Sequence, residues 1–202
     1  MRTYLRRCWP VSLAATFAAS VPFWEAKQPA DWTIAELQRL LSDSPWAQMV
    51  DSGPRRGGAP LQVYIASADP VIQAEDHLRA ARKDVGTDPS WEEYREYVNE
   101  NAGKYLIVAA AANDKSAFLD NAETKRMEEE SRLRVGRRTY HVTGHFPPSS
   151  TDPHVRLVFP LQIRPDDKVL KLELYIPGAS GEPFREAEFP IKNMVFRGHP
   201  SF

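Results

Sequence analysis

Cysteine is nearly absent. Cys8 is the only one in 202 residues, which excludes a disulfide framework and the cysteine-rich zinc sites that hold small exported domains together. Glycine is scarce too, ten residues against seventeen prolines, so the connections read as stiff loops rather than flexible linkers. Neither sign of charge dominates, with 26 Lys and Arg facing 27 Asp and Glu. Such a balance argues against a surface built for nucleic acid or for an anionic membrane. The leading apolar stretch, Cys8 to Ala19, is shorter than the about 20 residues a spanning helix needs, and Pro10 and Ser12 interrupt it. Recognisable catalytic motifs are missing as well. No G-x-S-x-G elbow occurs, and Pro177 to Pro183 (PGASGEP) imitates one only loosely, between strands. The Gly53 to Gly58 string (GPRRGG) lacks the lysine and glycine spacing of a phosphate loop.

What is present begins with an address. Arg2, Arg6 and Arg7 precede the apolar run, and Ala18 and Ser20 are small residues of the kind a signal peptidase accepts. Residues 1–20 therefore read as a signal peptide cleaved near Ser20, placing the mature chain in the periplasm or outside the cell. Cleavage leaves about 182 residues, removes Cys8, and takes the formal charge from −1 to −4. That length is sufficient for one ordinary domain, 21–202, stabilised by packing alone.

The clearest local signature is Trp32-Thr33-Ile34-Ala35-Glu36-Leu37. Thr33 and Glu36 stand at capping-box spacing, with Trp32 and Leu37 placed as a hydrophobic staple. They open a short docking helix over 31–45 that Ser44-Pro45 stops. An α/β portion follows over 61–130. A strand at Leu61 to Ala66 leads to a helix opened by Asp69-Pro70 and running to about Lys83. Asp88-Pro89 opens a second helix carrying Trp91, Tyr94, Tyr97 and Val98. Tyr105 to Ala112 (YLIVAAAA) reads as a strand buried on both faces, completing a βαβ-like unit, and Asp114 to Glu130 as a third, charged helix. From Arg132 the period changes to two. Tyr140 to Phe146, then Val155 to Ile163, Leu170 to Ile176, Ala187 to Ile191 and a short Met194 to Phe196 predict an antiparallel meander over 132–197. The expected class is α+β in a single domain, its strands sharing one mixed sheet.

Candidate chemistry is sparse. His145 and His154 flank the loop PPSSTDP with Asp152 beside them, a cross-strand arrangement that would suit a metal-assisted hydrolase; two solvated histidines near a turn are the plainer alternative. His141 and His145 are too far apart along a strand, about 13 Å, to share one zinc. Arg132, Arg134, Arg137 and Arg138 form a basic strip that could dock an anionic partner or be neutralised by Glu128, Glu129 and Glu130. Trp24, Trp32 and Trp46, with Phe23, could form a partner-docking platform or staple a terminal helix to the core.

The string W-T-x-x-E-x-x-x-L-L-x-D-S-P-W-A from Trp32 to Ala47 resembles a family of uncharacterised exported proteins of acidobacteria. The turn Ser67-Ala68-Asp69-Pro70 and the closing Phe189 to Phe196 are similar to that pattern as well. The resemblance implies export and one domain, and brings no activity or ligand with it. The resulting expectation is a non-enzymatic binding or assembly protein of the cell envelope, with an envelope protein or glycan as partner. It calls for no cofactor, metal, nucleic acid or membrane span in the mature chain. The alternative is an extracytoplasmic hydrolase using His145, His154 and Asp152.

Overall fold

The computed structural model describes residues 21–51, 58–82 and 88–202. Residues 1–20, on which the signal-peptide reading falls, most of the loop over 51–60 and Lys83 lie outside them. Two antiparallel sheets and a layer of helices make up the molecule. The first sheet has the order β1 (Ala47–Val50), β2 (Leu61–Ile65), β3 (Tyr105–Ala111), β7 (His154–Pro160), β6 (Gly144–Phe146). The second has the order β5 (Arg138–His141), β4 (Arg132–Val135), β8 (Val169–Tyr175), β9 (Phe184–Pro190). A two-stranded ribbon, β10 (Val195–Phe196) with β11 (His199–Pro200), closes the chain. The class is α+β, as the sequence implied, and the C-terminal meander is present in β8 and β9.

Register decides which residues share a face. Val108 pairs with Leu157, and Leu106 with Phe159, so these four lie on one side with Val63, Ile65 and Val155. All are fully or almost fully buried, as are Leu133, Leu170, Leu172, Leu174 and Phe189 of the second sheet. The two apolar faces meet to form the core. The opposite face of the first sheet carries Tyr64, Ala109 and Arg156 in one row. It is covered by α3 (Asp69–Arg82) and α4 (Pro89–Glu100). β3 and β7 are therefore buried on both sides, which is why YLIVAAAA carries no polar residue.

Several expectations are corrected. The strand–helices–strand unit exists, but β2 and β3 are antiparallel neighbours. One crossover helix would return the chain to the same end of the sheet and give a parallel pair. Two helices reverse it again, so β3 runs opposite to β2. The strands do not share one mixed sheet. Tyr140 to Phe146 is not one strand: β5 belongs to the second sheet and β6 to the first, the chain crossing between them where the Thr143 amide donates to the Val158 carbonyl at 2.9 Å. The helix expected from Asp114 to Glu130 is broken. A 3-10 turn occupies Lys115–Leu119, and Asp120 caps α5 (Asn121–Glu130) by accepting from the Ala122 amide at 2.8 Å. β1 and β11 were not anticipated.

The amino-terminal part forms as its sequence dictates. α1 (Phe23–Ala26) precedes α2 (Ile34–Leu40), where the Thr33–Glu36 capping box is made in both directions. Leu37 and Leu40 bury, while Ile34 stays half exposed. Lys27 donates to Glu36 at 2.6 Å. That bond, with the Thr33 amide, draws the Glu36 carboxyl down to about 2. No helix among the described residues is long and apolar enough to cross a membrane.

Candidate functional site

The helix-covered face of the first sheet holds the densest group of buried polar side chains. Two rows run across β2, β3 and β7. In one, Tyr64, Ala109 and Arg156 are in register; in the next, Ala111 pairs with His154, with Gln62 beyond it. Ala111 on the middle strand leaves a trough between larger neighbours, and α3 forms one of its walls through Glu75, Leu78, Arg79 and Arg82. This trough is a cavity of about 300 Å³ lined by Gln62, Glu75, Arg79, Arg82, Trp91, Asp152, His154 and Arg156 among others.

Arg156 organises the floor. Its side chain is 2% exposed, and one Nη2 donates to Glu75 and to Asp152, each at 2.8 Å. Its Nε donates to the same Asp152 oxygen at 3.0 Å. The guanidinium lies 4.2 Å from the Tyr94 ring centroid and 4.9 Å from that of Trp91, so it is stacked as well as paired. Tyr64 donates to Glu75 Oε1 at 2.7 Å. The second Asp152 oxygen faces His154 Nδ1 at 2.8 Å; a carboxylate only accepts, so Nδ1 carries the proton. His154 Nε2 lies 3.5 Å from Gln62 Oε1.

The electrostatics follow from burial and pairing. Burial pushes the Asp152 carboxyl up, but the Arg156 charge and the hydrogen bonds from His154 and Arg156 outweigh it and hold Asp152 well below the ordinary carboxylate range. Burial acts to lower Arg156, yet Glu75 and Asp152 more than compensate, and it stays protonated. Burial raises both Tyr64 and Tyr94, so neither phenol ionises at neutral pH. Both hydroxyls are therefore fixed as neutral groups.

A second cluster clamps the loop before β7. Asp88 caps α4 through the Ser90 amide and also accepts from Ser149 Oγ at 2.5 Å and from Thr151 Oγ1. Arg79, 4.2 Å over the Trp91 ring, donates to Thr151. The loop that presents Asp152 is thus tied to the helix layer.

The sequence-derived candidates separate here. His154 and Asp152 come together as expected. His145 does not join them: it pairs with Leu157, whereas His154 shares a face with Arg156, so the two histidines point to opposite sides of the sheet. His145 instead meets Glu128 of α5 at 2.8 Å. His141 ends β5 in the other sheet, His77 lies on α3 and His199 on β11. Among the described residues no three His, Cys, Asp or Glu side chains are grouped to hold a metal ion.

The tryptophan platform is also corrected. Trp46 is fully buried and Trp32 is 6% exposed. Trp46 Nε1 donates to the Ser201 carbonyl at 2.8 Å, and Trp32 packs edge-on against Phe196 and Phe23. Trp24, partly buried, leans on Trp46. Flanking segments cover Trp32 and Trp46, so of this group only Phe23 and Trp24 keep partial exposure.

Glu75, Arg156, Arg79, Tyr64 and Gln62 were not anticipated in the site. Two signals pointed to them. Arg156 interrupts the apolar run of β7, and Glu75 stands on the buried stripe of α3 with Val71, Ala74 and Leu78. A charge on a buried stripe needs a partner. No family model, curated protein or solved structure matches this chain.

Proposed function

We propose that this chain is an exported, non-enzymatic binding protein of the cell envelope, and that its ligand is a hydroxyl-rich glycan fragment seated in the trough. One observation carries the reading. Glu75 Oε2 and Arg156 Nη1 are buried without a hydrogen-bond partner among the described residues, and both side chains line the cavity. One is an acceptor and the other a donor. A hydroxyl can donate to the carboxylate and accept from the guanidinium at once, which neither an apolar molecule nor a simple anion does. Gln62, His154 and exposed Arg82 at the rim add further donors and acceptors. A cavity of this size sits at the small end of ligand pockets, suited to one or two sugar rings. The amino-terminal signal pattern, and the resemblance to exported acidobacterial proteins, support the envelope location.

The test is a tryptophan-fluorescence titration with soluble oligosaccharides and muropeptides of the host envelope, since Trp91 lines the trough. A saturable change that is lost in Gln62→Ala and Glu75→Gln supports the reading. A folded protein that binds none of these fragments overturns it. Fractionation tests the address separately: processed chain beginning at Val21 outside the cytoplasm is expected, and unprocessed chain in the cytosol contradicts export.

The His154–Asp152 pair favours a second reading, a hydrolase in which Asp152 orients His154 as a base toward water. His145 has no part in it, and the group facing His154 Nε2 is the Gln62 amide rather than a hydroxyl nucleophile. Turnover of a glycan or ester that disappears in His154→Ala would establish this reading in place of simple binding.

A further inference from the structure

The basic strip noted in the sequence does not meet the acids that precede it. Glu128 takes His145, Glu129 takes Lys125 and Glu130 takes Arg126. The strip instead forms one wall of a cleft of about 530 Å³ at the end of the second sheet. The β4–β5 hairpin supplies the wall, turning at Gly136, whose φ of +61° suits a two-residue hairpin turn. The connection entering β8 supplies the other. Six cations line this cleft (Arg134, Arg137, Arg138, Arg164, Lys168 and Lys171) against two acids, Asp166 and Asp167. In a chain whose charges otherwise balance, that is a strong local excess of one sign.

Asp167 is already committed. It takes the Arg138 guanidinium and accepts from the Arg164 amide at 2.6 Å, fastening the two walls together. The Asp167 carboxylate bonded to it raises Arg138 above its ordinary value, so it remains a fixed cation. Arg134 pairs with Glu173 at 3.1 Å and Lys171 with Glu188 at 2.5 Å on the exposed sheet face. Arg137, Arg164 and Lys168 are exposed and carry no ion pair among the described residues. Two guanidinium forks and an ammonium at one preformed cleft match the geometry and charge of a phosphate group better than a single carboxylate.

We propose that this cleft binds a phosphate ester, with Arg137, Arg164 and Lys168 taking its anionic oxygens. It is a second site, separate from the trough, and does not depend on the glycan reading. The ester can belong to a soluble molecule or to a lipid headgroup, and two probes distinguish these sources. The full chain is titrated calorimetrically with inorganic pyrophosphate, and sedimented with phosphatidylcholine vesicles with and without phosphatidylglycerol.

Saturable binding of either probe is expected, weakened by added salt. Arg137→Glu with Arg164→Glu should weaken it on the order of tenfold or more. Both side chains are exposed and unpaired, so an unchanged melting temperature is expected for this variant. Binding of pyrophosphate assigns the site to the phosphate groups of soluble molecules, and binding of anionic vesicles alone assigns it to headgroups. Arg132→Glu is the control, an exposed change on β4 outside the cleft. Absence of binding to both probes overturns the proposal. So does an Arg132→Glu variant that loses binding as fully as the double variant, because attraction would then be diffuse rather than seated in the cleft.

Discussion

Arg156 lies between two carboxylates and two aromatic rings with almost no access to water. A buried ion pair of this sort contributes modestly as a unit, because desolvation offsets attraction, yet losing one partner strands the other charge. Arg156→Ala is therefore expected to destabilise the fold by about 3–5 kcal/mol, measured by denaturant unfolding. The triple change Arg156→Met, Glu75→Leu and Asp152→Asn should recover a large part of that loss, since it removes all three charges and roughly keeps volume. Recovery would mean the network exists for the trough rather than for stability. Asp152 sets the pH dependence. Its carboxyl is depressed in the folded chain, so the stability it contributes is present above the unfolded value of about 4 and is lost as pH falls below it. Burial also raises Asp88, but its bonds to Ser149 and Thr151 leave it lowered, and it acts in the same window. Unfolding free energy should be flat from neutrality to about pH 4 and then decline. Asp152→Asn should flatten part of that decline, which an acid titration followed by circular dichroism measures.

Among the elements, legibility tracks how local the cause is. α2 could be read residue by residue because its cap, staple and stop all lie within its own segment. α4 announced itself through Asp88-Pro89 in the same way. The split between β5 and β6 was hidden, since alternation from Tyr140 to Phe146 says which way side chains point and nothing about which sheet receives them. The break at Asp120 shows in the sequence only as an aspartate that caps a helix, among several that do not. Gly178 offers a test of element packing. It adopts φ +65°, and a Cβ there would meet Asp114 Cβ at 2.8 Å and Ala117 Cβ at 2.9 Å, both in or beside the 3-10 turn. Gly198, at φ +78°, has open space around it. Gly198→Ala should cost about 1 kcal/mol of backbone strain alone. Gly178→Ala adds a clash with a neighbouring element and should cost roughly 1–3 kcal/mol beyond that. Paired thermal melts of the two variants measure the difference.

At the scale of the whole molecule, the trough was illegible because its parts come from distant points of the chain. Glu75 and Arg156 are 81 residues apart, and Tyr64 joins them only through the β2–β3–β7 register. Only Asp152 and His154, two residues apart, lay close enough to be noticed together. The same long-range logic closes the fold. The carboxyl-terminal end is stitched to the first part of the chain by Trp46 to Ser201, by the Asp69 amide to Ser201 Oγ at 2.8 Å, by the Arg197 amide to Glu25 at 2.8 Å, and by Trp32 against Phe196. Ser201→Ala removes only the hydroxyl acceptor and should cost about 1 kcal/mol. Deleting residues 199–202 also removes β11 and the carbonyl that holds the Trp46 indole, leaving a buried donor unsatisfied at about 1–3 kcal/mol, with Phe196 uncovered besides. The deletion should therefore exceed Ser201→Ala in its effect on melting temperature, and should shift tryptophan emission to the red as water reaches Trp46 and Trp32. Emission that stays at the intact chain's wavelength would mean that the amino-terminal helices hold those indoles in place without the closing ribbon.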